Sequence, residues 1–216
     1  MKRIVTILIA LIVGIAIGFA AYMLVFGNFL KKPAAAPAQP PASSTAVQPL
    51  EEDSFLGLAT NVLACIEARD WAALSGYVHP EYGVVFVPYS TINLSANKCF
   101  TAADVKSFGS SADVYVWGVY DGTGEPISLT VADYFTKFVY DRDYLTAPIM
   151  SIDHILQTGN SLENISEVFP NCRYVEFHFP GTEELGGLDW STLRLVFEEY
   201  NGKMMLTAII HSQWTI

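Results

Sequence analysis

Histidines are the side chains best suited to proton transfer near neutral pH and to metal binding, and in this sequence they are isolated. Among 216 residues there are four: His79, His154, His178 and His211. None stands in an H-E-x-x-H or H-x-H pattern, so no zinc site is predicted. The sequence also lacks a G-x-S-x-G elbow, a P-loop and a G-x-G-x-x-G turn. Motifs therefore assign no catalytic residue, no metal and no cofactor.

Carboxylates cluster in two short stretches that could bind a cation or a polar ligand. Residues 121–125 read DGTGE, and residues 140–144 read YDRDY. The first stretch lacks the EF-hand ligand pattern, so a plain turn is favoured over a calcium site. The second stretch is either a segment that grips a ligand or, in the favoured interpretation, the solvated end of a helix.

Three cysteines allow at most one intramolecular disulfide. Cys65 falls on the apolar side of a predicted amphipathic helix and is expected to be a buried thiol. Outside the cytoplasm, Cys99 and Cys172 could pair with each other. The sequence leaves equally open that both are buried thiols, because spacing alone does not determine connectivity.

An uncharged apolar run occupies residues 4–30. At about 1.5 Å of rise per residue, such a helix is long enough to cross a bilayer. The run exceeds the roughly 7–15 residue core of a cleavable signal peptide, and no A-x-A site follows closely. We therefore predict an uncleaved single-pass anchor in the lipid bilayer. Two basic residues flank each end, but the short tail of residues 1–3 favours an N-terminus inside the cytoplasm.

Small residues recur at every fourth position within the predicted anchor: Ala10, Gly14 and Gly18. This spacing would let two anchor helices approach closely, which would give a homodimer. The alternative is that it reflects the ordinary frequency of Gly and Ala in membrane spans.

The rest of the chain divides into a spacer and an acidic folded part. Residues 31–50 are rich in Pro, Ala and Ser, which predicts a semi-extended linker. Residues 51–216 carry all 22 Asp and Glu but only eight of the 12 Lys and Arg, a net charge of −14. A surface this acidic repels phosphate backbones, so nucleic-acid binding is excluded. With the predicted anchor orientation, this acidic domain lies outside the cytoplasm.

Hydrophobic periodicity in the folded part predicts helices first and strands last. Helices are expected near residues 51–70, 71–76, 102–108, 131–140 and 161–169, with Asp70, Thr101 and Thr130 as N-terminal caps. Strands are expected near 83–89, 112–120, 172–179, 191–200 and 203–216. This order predicts an α+β domain in which helices pack on one face of a curved antiparallel sheet.

An Asn-Gly pair at residues 201–202 predicts a two-residue hairpin turn between the last two strands. If pairing continues regularly from that turn, Leu193 faces Ile210. This register would place Trp214 on the apolar core face and His211 on the opposite, mixed face. The mixed face is expected to be solvated or to form an interface.

Three stretches, residues 75–89, 117–148 and 189–216, resemble a group of uncharacterised bacterial membrane-anchored envelope proteins. The resemblance covers most of residues 55–216 and departs at Met204-Met205, where an aromatic pair is expected. It implies no activity and supplies no catalytic residues. The helix-first, strand-last order is also loosely similar to the NTF2-like cone, whose concave sheet can hold a pocket.

Two functions are compatible with these observations. The first is a non-catalytic, membrane-tethered domain that binds a ligand, an envelope protein partner or a second copy of itself. The alternative is a small-molecule enzyme that uses an NTF2-like pocket. Trp117, Tyr134 and Trp214 would line that pocket, and an Asp or His would be the general base.

Overall fold

The computed structural model describes residues 52–215. Several predicted features lie outside these residues: the tail at 1–3, the anchor at 4–30, the linker at 31–50, and the pattern Ala10, Gly14 and Gly18. No helix formed within residues 52–215 combines the length and the apolar character needed to cross a bilayer.

The described part is a mixed α+β fold with a curved sheet and few helices, as predicted. The helices are α1 (Glu52–Glu67), α2 (Trp71–Ser75), α3 (Ala102–Ser107), α4 (Val131–Tyr134) and α5 (Ile165–Val168). The strands are β1 (Val84–Val87), β2 (Lys98–Phe100), β3 (Val114–Val119), β4 (Pro126–Thr130), β5 (Ile149–Ile152), β6 (Arg173–Phe179), β7 (Ser191–Tyr200) and β8 (Lys203–Gln213). A π-helical turn, Phe135–Val139, continues α4 directly.

Three of the helix starts follow the predicted capping chemistry. The Asp70 carboxylate accepts a hydrogen bond from the Ala73 N–H at the start of α2. Thr101 and Asp104 form a complete capping box at the start of α3. Thr130 accepts from the Asp133 N–H at the start of α4. These side chains satisfy backbone donors that the first helical turn leaves unpaired.

Six strands form one sheet in the order β2-β1-β8-β7-β6-β5, and β3 pairs with β4 in a separate hairpin. Neighbours in the large sheet are antiparallel except for β1 and β8, which run parallel. The predicted antiparallel sheet is thus confirmed with one parallel pair. One face of the sheet packs against α1, through Phe55 and the apolar residues that follow it at helical spacing. The same face packs against the β3–β4 hairpin through Trp117. This face carries the larger hydrophobic core.

The register of the last hairpin changes part-way along β8. Pairing follows the predicted positions from the turn as far as Phe197 and Leu206, but Val196 then pairs with Ala208. Thr207 is the extra residue of a β-bulge, which exchanges the two faces of the strand beyond it. The predicted Leu193–Ile210 pairing is therefore wrong.

A buried ion network occupies the opposite face of the sheet. Arg194 Nε and Nη2 lie 2.8 and 2.7 Å from Glu176 Oε2, and Nη1 lies 3.0 Å from Glu163 Oε2. Both Arg194 and Glu176 are 0% exposed. Residues 153–172, between β5 and β6, contribute Glu163 and also the Leu156 N–H that binds Glu176. The expectation that this mixed face is solvated or an interface is wrong, because the chain itself covers it.

The charged groups of this network shift one another's pKa values. Burial alone would lower the pKa of Arg194, but the carboxylates of Glu176 and Glu163 outweigh it and raise that pKa. Burial raises the pKa of Glu176 despite the attraction of Arg194. Arg194 therefore stays charged, and removing it would leave carboxylates without a counter-charge.

We expect Arg194→Met to lower the free energy of unfolding by about 3–5 kcal/mol, because it leaves the buried carboxylate of Glu176 and the half-buried one of Glu163 without a counter-charge. Urea unfolding of the detergent-solubilised full chain, followed by tryptophan fluorescence, measures the change. The exposed cation Lys203 gives a matched control, and Lys203→Met is expected to change stability by less than about 0.5 kcal/mol. Equal effects of the two substitutions would contradict the role given to the network.

Candidate functional site

Two of the three predicted pocket residues meet in the core rather than around a pocket. The rings of Trp117 and Tyr134 stack with centroids 3.8 Å apart and planes 8° from parallel. Both side chains are buried, and Trp117 Nε1 donates to the Leu129 carbonyl at 2.9 Å. Phe86 packs edge-on against both rings. The interior that a pocket would need is filled by aromatic side chains.

The third predicted pocket residue, Trp214, lies elsewhere. It follows the end of β8 and is 41% exposed. The prediction that it points into the core is wrong, because the bulge at Thr207 reverses the alternation on which that prediction depended. Trp214 thus neither plugs the core nor shares a site with Trp117 and Tyr134.

The same bulge turns His211 inward. This side chain is 0% exposed and its ring lies edge-on to Phe138, with centroids 5.9 Å apart. Its Nδ1 lies 3.2 Å from the Pro88 carbonyl oxygen, and its Nε2 lies 3.4 Å from Asp141 Oδ1. The predicted surface position of His211 is therefore wrong, and a buried histidine instead faces the partly exposed carboxylate of Asp141.

Asp141 is the centre of a small polar cluster at this end of the sheet. Tyr144 Oη donates to Asp141 Oδ1 at 2.9 Å, and Ser191 Oγ donates to Oδ2 at 3.2 Å. Burial of the carboxyl acts to raise its pKa, but His211 and Tyr144 outweigh that effect and the pKa lies below its usual value. Residues 140–144 directly follow the π-helical turn, and Asp141 and Asp143 are exposed, as predicted for a solvated helix end. The prediction fails at Tyr144, which is buried, and the Asp141 carboxylate is hydrogen-bonded inward.

The histidine–carboxylate pair is better placed to hold the fold than to react. A carbonyl oxygen only accepts hydrogen bonds, so Nδ1 of His211 carries a proton directed at Pro88. The other ring nitrogen faces Asp141 Oδ1 at 3.4 Å without forming a hydrogen bond in this geometry. A general base needs a nitrogen within reach of the substrate, and here each nitrogen already faces a protein oxygen. The pair connects the end of β1, β8 and the segment after the π-helical turn.

His79 and His178 also make hydrogen bonds within the local structure. His79 Nδ1 accepts hydrogen bonds from the N–H groups of Glu81 and Tyr82 in the turn that follows it. His178 is buried, and its Nδ1 lies 2.8 Å from Thr192 Oγ1.

An open cleft of about 530 Å³ lies beside this cluster, on the outside of the domain. We call it the hairpin cleft. One wall is the connection from β1 to β2, with Pro88 and Asn97, and the other is the end of the β3–β4 hairpin, with Gly118 and Asp121. Ser161 closes one end. A volume of roughly 300–1,000 Å³ is typical of ligand sites.

The DGTGE stretch forms the turn of that hairpin, as favoured from the sequence. Gly122 and Gly124 have φ values of 81° and 71°, which glycine adopts without strain. Asp121 Oδ2 accepts hydrogen bonds from Ser161 Oγ at 3.0 Å and from Thr215 Oγ1. These bonds, Thr215 foremost, lower the pKa of Asp121, so its carboxylate is ionised at neutral pH. Within residues 52–215, no group of three or more His, Cys, Asp or Glu could hold a metal ion.

The structure does not bring Cys99 and Cys172 together. Cys99 lies in β2 at one edge of the sheet, and Cys172 directly precedes β6. Three strands lie between β2 and β6, so the two cysteines are about 19 Å apart at about 4.8 Å per strand. A disulfide needs Cα atoms within about 7 Å. Both are free thiols, as is Cys65, which is half-buried against the core.

The hairpin cleft is the part of the site that sequence reasoning missed. Its residues come from three separate segments, and most lie in connections that carry no periodic pattern. The one usable signal is the glycine-rich DGTGE stretch, whose pattern indicates a turn or a cation site. Asn97, which faces it across the cleft, matches no motif.

Comparisons with known proteins identify no family for this chain. No protein-family profile matches it, and no curated protein matches it. One solved structure that is similar is described as a calcium/calmodulin dependent protein kinase II association domain from Xanthomonas campestris. It is 12% identical, with a TM-score of 0.33 over 85% of this chain and 94% of that chain. This is a distant structural neighbour, and the similarity is too low to support any inference about this chain.

We expect Asp141→Asn to lower the free energy of unfolding by about 1–3 kcal/mol at pH 7, because the charge facing His211 is lost. The folded-state pKa of Asp141 lies below the ordinary value of 3.8. Its contribution to stability is therefore complete above pH 3.8 and is lost as the pH falls through the lower, folded-state value. The difference in unfolding free energy between wild type and Asp141→Asn should therefore shrink as the pH falls below 3.8.

Urea unfolding of the full chain between pH 3 and pH 7 measures this difference. Glu183→Gln, which removes an exposed carboxylate, is the matched control and should leave the difference near zero throughout. A stability gap for Asp141→Asn that is constant down to pH 3 would contradict the stabilising role of the ionised Asp141 carboxylate.

Proposed function

We propose that this chain is a membrane-tethered extracytoplasmic domain that binds a ligand or an envelope partner without catalysing a reaction. The predicted anchor at residues 4–30 and linker at 31–50 would hold residues 51–216 away from the bilayer. The acidic charge of that domain suits a partner other than nucleic acid or an anionic lipid surface.

The observation that carries this proposal is the contrast between the filled interior and the open hairpin cleft. The interior side of the sheet is occupied by the stacked Trp117 and Tyr134, and both nitrogens of His211 face protein oxygens. The cleft, by comparison, has about 530 Å³ of space and polar groups on both walls. This arrangement suits recognition better than it suits proton transfer.

The specific fold type is part of the same proposal. We assign the domain to an NTF2-like cone, in which a long first helix lies against a curved sheet. Support comes from α1 packing on one sheet face through Phe55 and from the order of helices first and long strands last. In the alternative, an enzyme, the cone would hold a pocket, and the aromatic filling of the interior argues against that form.

The location of the domain can be tested through its exposed thiol. We expect a membrane-impermeant maleimide to label Cys99 in spheroplasts at pH 8, because Cys99 is exposed and would lie outside the cytoplasm. Cys172 should react far less, since burial raises its pKa to about 11. The Cys99→Ser variant is the control for labelling at the remaining cysteines. Labelling that requires lysis would contradict an extracytoplasmic domain.

Binding at the cleft can be tested by photo-crosslinking in membranes. A benzophenone amino acid replaces Ala96 on the cleft wall of the full chain, and in a matched control it replaces Ala112. Ala112 precedes β3 by two residues, whereas the cleft begins at Gly118 near the other end of that strand, about 20 Å away at about 3.3 Å per residue. We expect an adduct from position 96 and none from position 112. No adduct from position 96 would overturn the proposal.

A further inference from the structure

The lining of the hairpin cleft excludes several classes of ligand. Lys, Arg and His are absent from the described residues that line it, so an anionic ligand would find no counter-charge. Lys137 lies close by, but its Nζ donates to Tyr120 Oη at 3.1 Å and sits 4.5 Å from the centre of that ring. Asp121 is the one carboxylate of the lining, too few for a divalent cation.

The polar groups that remain are a matched acceptor and donor. Asp121 Oδ1 accepts from the Gly122 N–H at 3.1 Å, which leaves it a further lone pair, while Oδ2 is occupied by Ser161 and Thr215. Asn97 Oδ1 accepts from the Asn93 N–H at 2.6 Å, which fixes the orientation of the amide. The acceptor and the amide are thereby held in place before any ligand arrives.

The floor of the cleft brings the amide donor close to the ligand space. Gly118 is buried there with a φ of 149°, and a Cβ at this position would lie 3.3 Å from Asn97 Nδ2 and 3.4 Å from Pro88 Cγ. The absence of a side chain therefore leaves the Asn97 NH₂ group accessible from the cleft. A hydroxyl group can both accept from such an amide and donate to a carboxylate such as Asp121.

Tyrosines supply the apolar contact surface. Tyr89 and Tyr120 both line the cleft and are half-buried, and Phe138 packs behind both rings. Such rings offer apolar surface to C–H groups and a hydroxyl to polar ones at little cost in conformational entropy. The cleft thus presents aromatic surface, an amide donor and an ionised acceptor, without a cation.

We infer that the hairpin cleft binds a short neutral oligosaccharide. This inference rests on the proposed binding function and adds the chemical class of the ligand. Sugar hydroxyls match the Asp121 and Asn97 groups, and the C–H face of a sugar ring matches Tyr89. Tyr120 contributes an aromatic edge, because Lys137 lies over its ring. The rim at Thr91 and Thr123 is exposed, so a chain of sugar units can lie along the cleft and extend beyond it.

The test is isothermal titration calorimetry on the full chain with two neutral trisaccharides, maltotriose and triacetylchitotriose. The protein is solubilised in a polyoxyethylene detergent, because alkyl maltosides carry the chemistry under test. We expect at least one trisaccharide to bind with a Kd of about 1 mM or tighter. Trigalacturonate, which has a similar size but carries carboxylates, should bind at least about tenfold more weakly.

Two variants locate the binding. Ala96→Arg places a long side chain on the cleft wall and should weaken trisaccharide binding at least about tenfold, whereas Ala112→Arg should leave it unchanged. Unchanged binding by Ala96→Arg, binding of trigalacturonate as tight as that of the neutral sugars, or no binding of either trisaccharide would each overturn the inference.

The photo-crosslinking at position 96 distinguishes failure of the proposed ligand class from failure of the proposed binding function. A cleft-specific adduct together with no trisaccharide binding overturns the ligand class and leaves the binding function standing. No adduct and no trisaccharide binding overturns both.

Discussion

The β-bulge at Thr207 determines which side chains of the C-terminal strand point inward. β8 lies in the middle of the large sheet, hydrogen-bonded to β7 on one side and to β1 on the other. One extra residue in such a strand exchanges the faces of everything that follows, because side chains alternate with a period of two. His211 is thereby directed at Asp141 and Pro88, and Ser212 at Ser90 on the other face.

Buried polar groups lie on both faces of the sheet. Arg194 with Glu176 and Glu163 lies on one face, and His211 with Asp141 lies on the other. Charges taken out of water cost free energy unless they are paired, so each group is tolerated only in the arrangement that pairs it. A register slip of β8 would separate His211 from its partners. These pairs therefore favour one register of the strand over its neighbours, in addition to any net stability they provide.

Sequence patterns predict this fold where elements are long and amphipathic. The repeats of α1 from Phe55, the Thr101 capping box and the Asn-Gly turn are all found as predicted. The short strands β2, β4 and β5 have three to five residues and were not predicted, because so few residues show no clear alternation. The bulge gave no sequence signal either, since Thr207 fits a regular strand. The predicted orientations of Trp214 and His211 failed for that single reason.

The hairpin cleft is positioned by the same end of β8. On one wall, the Pro88 carbonyl faces His211, and Ser90 is hydrogen-bonded to Ser212. On the other wall, Asp121 is held by Thr215, which follows the strand. Two loops that are far apart in the chain are thus fastened to neighbouring residues of one central strand. A cleft whose walls are fixed in this way loses little conformational entropy when a ligand binds, which favours recognition even when individual polar contacts are weak.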